Sequence, residues 1–272
     1  MTIAVDPALA GADADGLLAR GRWLASDIYT IAWRYIVAIR RQPETLLFTV
    51  IQPVMLVLLF RYIFAGAIHI PGTSYVDYLM PGVFVQTVSF GSVSTAVGLA
   101  EDLQKGLIER FRALPMARSA VLSGRTVADL VRNLGSIVIM TGVGFLVGFR
   151  VQTSVPSFVA GLGLLLLFAW TLSWAFSLIG LSATNSETAQ VMAFPILFPF
   201  TFASSGFVLV KSMPGWLQAF ANNQPVTKVV NASRALMSGG PTATSTEEAV
   251  AWCLGLLVIF IPLAVRKYRR TA

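Results

Sequence analysis

Few side chains in this sequence are equipped for chemistry. His69 is the only histidine and Cys253 the only cysteine among 272 residues. A multi-histidine metal site, a Ser-His-Asp triad and a disulfide within the chain therefore all lack their parts. No Gly-x-x-x-x-Gly-Lys-Ser/Thr stretch is present, and Lys105, Lys211, Lys228 and Lys267 stand in no glycine-rich strand-to-helix turn, so the chain supplies no nucleotide phosphate loop of its own. Cys253 lies inside an apolar run, where a thiol is an inert packing group.

What the charged residues offer instead is docking and electrostatics. Between Glu101 and Pro115, Leu103, Leu107, Phe111 and Leu114 share one helical face with Ile108 beside them. Glu101, Lys105, Glu109 and Arg112 lie largely on the other face, and Arg110 adds a further cation. Such a helix can press an apolar ridge into a partner's groove while its charged rim sets orientation. It can equally lie on lipid, and periodicity alone leaves both open. Arg61 interrupts an apolar run, where a charge costs of order 2.5 to 3.5 kcal/mol at the bilayer centre. It either snorkels to phosphates or faces a cavity. Pro53, Pro195 and Pro199 break two apolar runs and can kink a helix there. With Arg61 they are the candidates for a substrate path.

The elements that must position these residues follow from composition. Hydrophobic residues make up 56% and charged residues 12%, against about a quarter charged in soluble domains. With a mean hydropathy of +0.72, the apolar surface exceeds what a soluble core can hide, whereas lipid accepts helices of about 20 residues that are apolar all round. An all-α, polytopic membrane protein follows, with six spans near residues 46–67, 78–100, 134–149, 158–181, 190–210 and 249–265. Residues 22–41 form an amphipathic helix suited to the interface, carrying Leu24, Ile28, Ile31, Tyr35 and Ile39 on one face. Residues 1–21 form a mobile tail without the pattern of a signal peptide. Residues 211–247 are too polar to span and too apolar for an ordinary loop, and divide into two short amphipathic pieces around Asn222 to Pro225. They form an outer re-entrant or interfacial hairpin, or else a plain external loop with a surface-lying helix, and the sequence leaves both open.

Orientation follows from the basic residues. Five lie in residues 1–45, six in residues 101–132 and four in the tail, against four on the opposite side: Arg150, Lys211, Lys228 and Arg234. The positive-inside rule then places both termini in the cytoplasm. Arg outnumbers Lys sixteen to four and the chain is rich in Ala and Gly, which hints at a GC-rich bacterial genome and so at a bacterial cell membrane. Basic clusters flanking apolar runs are topological, and no nucleic-acid partner is implied.

The run Glu109-Arg-Phe-Arg-Ala-Leu-Pro-Met-Ala-Arg118, then Gly124-Arg-Thr-Val-Ala-Asp129 and Gly148-Phe-Arg150, resembles the signature region of type-2 ABC transporter permeases. It is similar in particular to those of the daunorubicin/doxorubicin-resistance type. Two later stretches fit the same family: Ser205-Gly-Phe-Val-Leu-Val-Lys-Ser-Met-Pro-Gly-Trp-Leu-Gln218, and Asn223-Gln-Pro-Val-Thr227 with Arg234-Ala-Leu-Met-Ser-Gly-Gly240. The resemblance covers the chain from about Trp23 to its end. It implies that residues 101–114 are a coupling helix received by a cytoplasmic ABC ATPase, in two copies, and that residues 22–41 are the connecting helix. It also implies a second permease chain, identical or sister, facing this one within membrane lipid. ATP and magnesium would be bound by the partner, with no cofactor on this chain. Family members often carry several acidic residues after the fourth span; here only Glu187 stands there, a weaker second contact to the ATPase.

The function implied is export of a hydrophobic or amphipathic compound of drug or antibiotic type, without an enzyme activity of the chain's own. Export of a lipid or lipid-linked polymer is the alternative in the same class. A non-transporting scaffold or sensor subunit is the alternative in another.

Overall fold

A backbone surrounded by hydrocarbon must satisfy its polar groups internally, and the described residues contain helices and turns but no strand. A computed structural model describes residues 26–37, 43–64, 74–107 and 118–271. The expected tail at 1–21, the ends of the 22–41 helix, the turn that holds His69 and the stretch 108–114 lie outside these residues. The first helix covers residues 26–37 (α1). It is followed by α2 (Pro43–Leu59), which runs into a π-helical turn (Phe60–Phe64), then α3 (Tyr75–Gln104), α4 (Arg118–Val147), α5 (Val155–Gly180) and α6 (Ser186–Phe202). After a short 3-10 turn (Val210–Ser212) come α7 (Gly215–Asn223), α8 (Pro225–Ser238) and α9 (Thr242–Thr271). α3, α4, α5 and α9 are long and apolar enough to cross a membrane, and α2 with its π-helical turn contributes a shorter apolar stretch, Val50–Ile63.

α3 is the central helix, flanked by α2, α4, α5, α6 and α8. Three of its buried hydroxyls are satisfied within the helix, Thr87, Ser89 and Ser92 donating to the carbonyls of Val83, Val85 and Val88 at 2.7–2.8 Å. Small residues let the neighbours come close: a β-carbon at Gly82 would strike the backbone of Gly206, and one at Gly180 the backbone of Ala96. Van der Waals packing is the main attraction between helices in lipid, so such close approach is what holds them.

Two boundaries differ from those the sequence suggests. Glu101 to Gln104 form the last turn of α3 rather than the start of a separate helix. The break falls at Lys105 and Gly106, whose φ of +64° is a conformation that favours glycine. The apolar run around 190–210 is helical only to Phe202. Ser204 Oγ then accepts from Gly206 N at 3.2 Å, and the chain turns against Gly82.

At the end of the bundle where α3 begins, polar groups bind backbone. Asp77 accepts from Arg150 N at 3.0 Å, Ser74 Oγ at 2.7 Å and Gln152 Nε2 at 3.1 Å. Arg234 of α8 donates to Tyr78 O and, at 2.8 Å, to Ser205 O, with its guanidinium 3.8 Å from the centre of the Tyr78 ring. The two pieces expected within 211–247 are α7 and α8, divided at Gln224. α8 is buried along most of its length against α3, α5 and α9. Its last turn meets the start of α5, where Thr153 and Ser157 donate to Leu236 O at 2.6 and 2.8 Å. Gln224 Nε2, at its other end, donates to Ala203 O at the close of α6 at 2.7 Å.

Candidate functional site

The segment proposed to meet a partner leaves α3 at Lys105 and re-enters the described chain at Arg118, the first residue of α4. The helices on either side are joined by Asp102. Its Oδ2 accepts from the Tyr35 hydroxyl of α1 at 2.6 Å and from Arg125 NH1 of α4 at 2.5 Å. The Arg125 guanidinium lies 4.8 Å from the centre of the Tyr35 ring, which adds a cation–π attraction. Both members of the ion pair are largely withdrawn from solvent, with side chains 11% and 14% exposed. Burial pushes the Tyr35 phenol well above its ordinary range; Arg125 opposes this and Asp102 adds to it. Tyr35 therefore stays protonated and remains a donor.

Sequence and packing explain why the three helices meet here. Ile28, Ile31 and Tyr35 recur at helical spacing and pack with Leu99, Leu103, Val121, Leu122 and Tyr268. A β-carbon at Gly124 would strike Ile31, and one at Gly98 would land on the Arg125 guanidinium, so α1 and Arg125 can sit flush only because those residues are glycine. Tyr29 and Trp33 stack on the exposed face of α1 with ring centres 6.3 Å apart. That placement suits a membrane interface.

The polar network continues along α4. Asp129 Oδ1 pairs with Arg132 NH1 at 2.9 Å, and Oδ2 accepts from Thr95 Oγ1 of α3 at 2.5 Å. Arg132 NH2 reaches Gly91 O at 3.0 Å. Asp129 and Arg132 are 3% and 8% exposed, so each depends on the other for compensation. Arg125, Asp129 and Arg132 follow i, i+4, i+7 spacing, opposite Gly91, Thr95, Gly98 and Asp102 at i, i+4, i+7 and i+11 on α3. These buried charges are the functional candidates that the sequence reading missed, because by composition they look like part of the basic flank before the third span.

Among the described residues, those singled out from sequence are spread over several elements. Leu103 is partly buried and packs inward with Ile28 and Tyr35. Leu107 ends the described stretch, and Ile108, Glu109, Arg110, Phe111 and Arg112 lie beyond it. Lys105 is exposed and bonded to Glu101 at 2.5 Å, which holds its ammonium above its usual value. Glu187 is exposed in the first turn of α6. Arg61 is exposed in the π-helical turn, Pro53 is buried in α2, and Pro195 and Pro199 lie on the exposed face of α6.

Residues 26–238 match the ABC-2 type transporter family. The daunorubicin resistance ABC transporter permease protein DrrB1 of Streptomyces coeruleorubidus is 34% identical over 246 residues, which cover 90% of this chain and 86% of that protein. The doxorubicin resistance ABC transporter permease protein DrrB of Mycobacterium tuberculosis is 27% identical over 176 residues, 65% of this chain and 60% of its own length.

Proposed function

The chain belongs to the ABC-2 type transporter family, and from that premise we propose that it is the permease subunit of an exporter driven by ATP hydrolysis on a separate subunit. At the coarser level it is a multi-pass membrane permease of an ABC transporter. The proposed cargo is a hydrophobic or amphipathic compound of drug or antibiotic type, a reading supported by the names of the two relatives. The Asp102 end would face the cytoplasm, where the basic residues concentrate. α2, α3, α4, α5, α6 and α9 would make six crossings, with α7 and α8 as a hairpin entering from the outer side. The Gln224–Ala203 and Thr153–Leu236 bonds, which tie the two ends of α8 to different levels of the bundle, support that hairpin. A second permease chain would meet the exposed apolar faces of α2 and its π-helical turn, with Met55 and Tyr62, and of α6, with Val191 and Phe198.

The observation that carries the coupling mechanism is the Tyr35–Asp102–Arg125 junction. It locks together the helices that enter and leave residues 105–118, along with α1. A partner ATPase, which would hold ATP and magnesium, closes on nucleotide binding and pushes this stretch. With the junction intact, α1, α3 and α4 then move as one body, biasing the permease pair between inward-open and outward-open arrangements. Leu107, Phe111 and the charged rim from Lys105 to Arg112 would dock the partner, with Glu187 as a lesser contact.

The test is reconstitution of the permease with its ATPase in sealed vesicles. The expected result is ATP-dependent accumulation of daunorubicin in inside-out vesicles and cargo-stimulated hydrolysis. Hydrolysis indifferent to every cargo, with no vectorial movement, would leave a scaffold subunit instead.

A further inference from the structure

One cavity lies away from the junction and from the α2 face. It occupies about 580 Å³, within the roughly 300–1,000 Å³ of small-molecule sites. α5, α6, α9 and the α7–α8 corner wall it, and its rings are Phe168, Phe176, Phe200, Phe220, Trp252 and Phe260. Trp252, 39% exposed, and Phe220, 38% exposed, leave it accessible from the surface of the bundle. Apart from the Trp252 indole, the only polar side chains in its lining among the described residues are Asn223 and Gln224, at one corner.

That corner is unusual for an apolar surface. Gln224 is 3% exposed, and its Nε2 is committed to Ala203 O at 2.7 Å and Thr227 Oγ1 at 3.4 Å. Neither partner lines the cavity. Gln224 Oε1 has no hydrogen-bond partner, and a buried acceptor left unmade is costly. Asn223 beside it is exposed, with Nδ2 bonded to Ala219 O at 2.9 Å. A hydrocarbon tail would fill the ring-lined part and leave this corner unused. A compound with an aromatic body and one hydrogen-bonding edge uses both.

We infer that the cavity is a binding site for the amphipathic, ring-bearing cargo on each permease chain, the ring system lying among the aromatic side chains and a donor group meeting the Asn223–Gln224 corner. This rests on the export reading above and adds to it a site, reached from the side, that a single chain builds alone. Aromatic surfaces favour offset or edge-to-face partners, which a planar ring system provides.

The experiment is daunorubicin binding, followed by fluorescence, to the permease–ATPase complex in lipid nanodiscs, with export measured in vesicles. Ala175 lines the cavity, and Ala175→Trp fills it. We expect Kd to rise by about tenfold or more and export to fall with it. Phe220→Ala, at the accessible rim, guards against a folding defect and raises Kd by several-fold. Binding and export by both variants at the wild-type level, in a wild-type complex that exports, overturns the site and leaves the export reading standing. A wild-type complex that neither binds nor exports removes both. If a bilayer lipid co-purifies with the wild-type chain and is lost from Ala175→Trp while daunorubicin affinity holds, the occupant is lipid and the cargo assignment fails.

Discussion

The two ends of the helical bundle solve the same problem, polar groups among apolar helices, in different ways. At one end Asp77 and Arg234 are satisfied mainly by a hydroxyl, an amide and backbone, so neither relies on a single opposite charge. At the other end Asp102 pairs with Arg125 and Asp129 with Arg132, and each pair needs both members. Backbone satisfaction fixes an irregular stretch, here residues 203–209, in one arrangement. Pairing between side chains of different helices makes those helices depend on each other. The second arrangement lies beside the segment proposed to receive a push.

The largest effect that would separate the ends is loss of a paired charge. Asp129→Asn leaves Arg132 buried without its anion and should cost about 3–5 kcal/mol. Asp77→Asn keeps one acceptor and strands no cation, so about 1.5–3 kcal/mol is expected from weakened bonds to a carboxylate. Denaturation of the two variants in the same detergent measures the contrast. Equal losses would mean that both ends are held in the same way.

Close packing gives the next effect. Gly82→Ala puts a methyl into the Gly206 backbone, and overpacking of this kind costs about 1–3 kcal/mol. Gly98→Ala meets only the far end of the Arg125 side chain. It should be milder for stability but should displace the guanidinium from Asp102. Thermal stability near wild type with reduced cargo-stimulated hydrolysis is the pattern expected of Gly98→Ala, and the reverse pattern would place coupling elsewhere.

The helices themselves were legible because bilayer-length apolar runs leave a backbone little choice. The division of 211–247 into two helical pieces was legible too, since Pro225 starts α8 and Val226, Val229 and Val230 form its buried face. Where α6 stops was harder to see. Phe202 to Val210 remains largely apolar, and the turn there rests on Gly206 meeting Gly82 far away in sequence. The buried ion pairs were hidden for a related reason. Arg125, Asp129 and Arg132 share a helical face, but only the matching stripe of small residues on α3 shows that the face is covered. The residues most directly assigned to partner docking, Ile108 to Arg112, lie outside the described segments, so their role rests on the sequence and on the junction beside them.

The smallest effect bears most directly on what the junction does. Tyr35→Phe removes one hydroxyl and leaves the ring over Arg125 and the Asp102–Arg125 pair in place. About 0.5–1.5 kcal/mol should be lost. Because burial holds the phenol above its ordinary value of 10.0, the folded state binds that proton more tightly than the unfolded state does. Its contribution is complete below the unfolded value and disappears only as pH rises past it. The stability difference between wild type and Tyr35→Phe should therefore be constant from about pH 6 to pH 9. A difference that shrinks within that range would mean that Tyr35 ionises there and that Asp102 is held chiefly by Arg125. Asp102→Asn, compared at the same pH values, should weaken the link from α3 to both α1 and α4. If α1 transmits the partner's push, that variant should lose cargo-stimulated hydrolysis to a greater degree than Tyr35→Phe does, even where the ATPase stays bound.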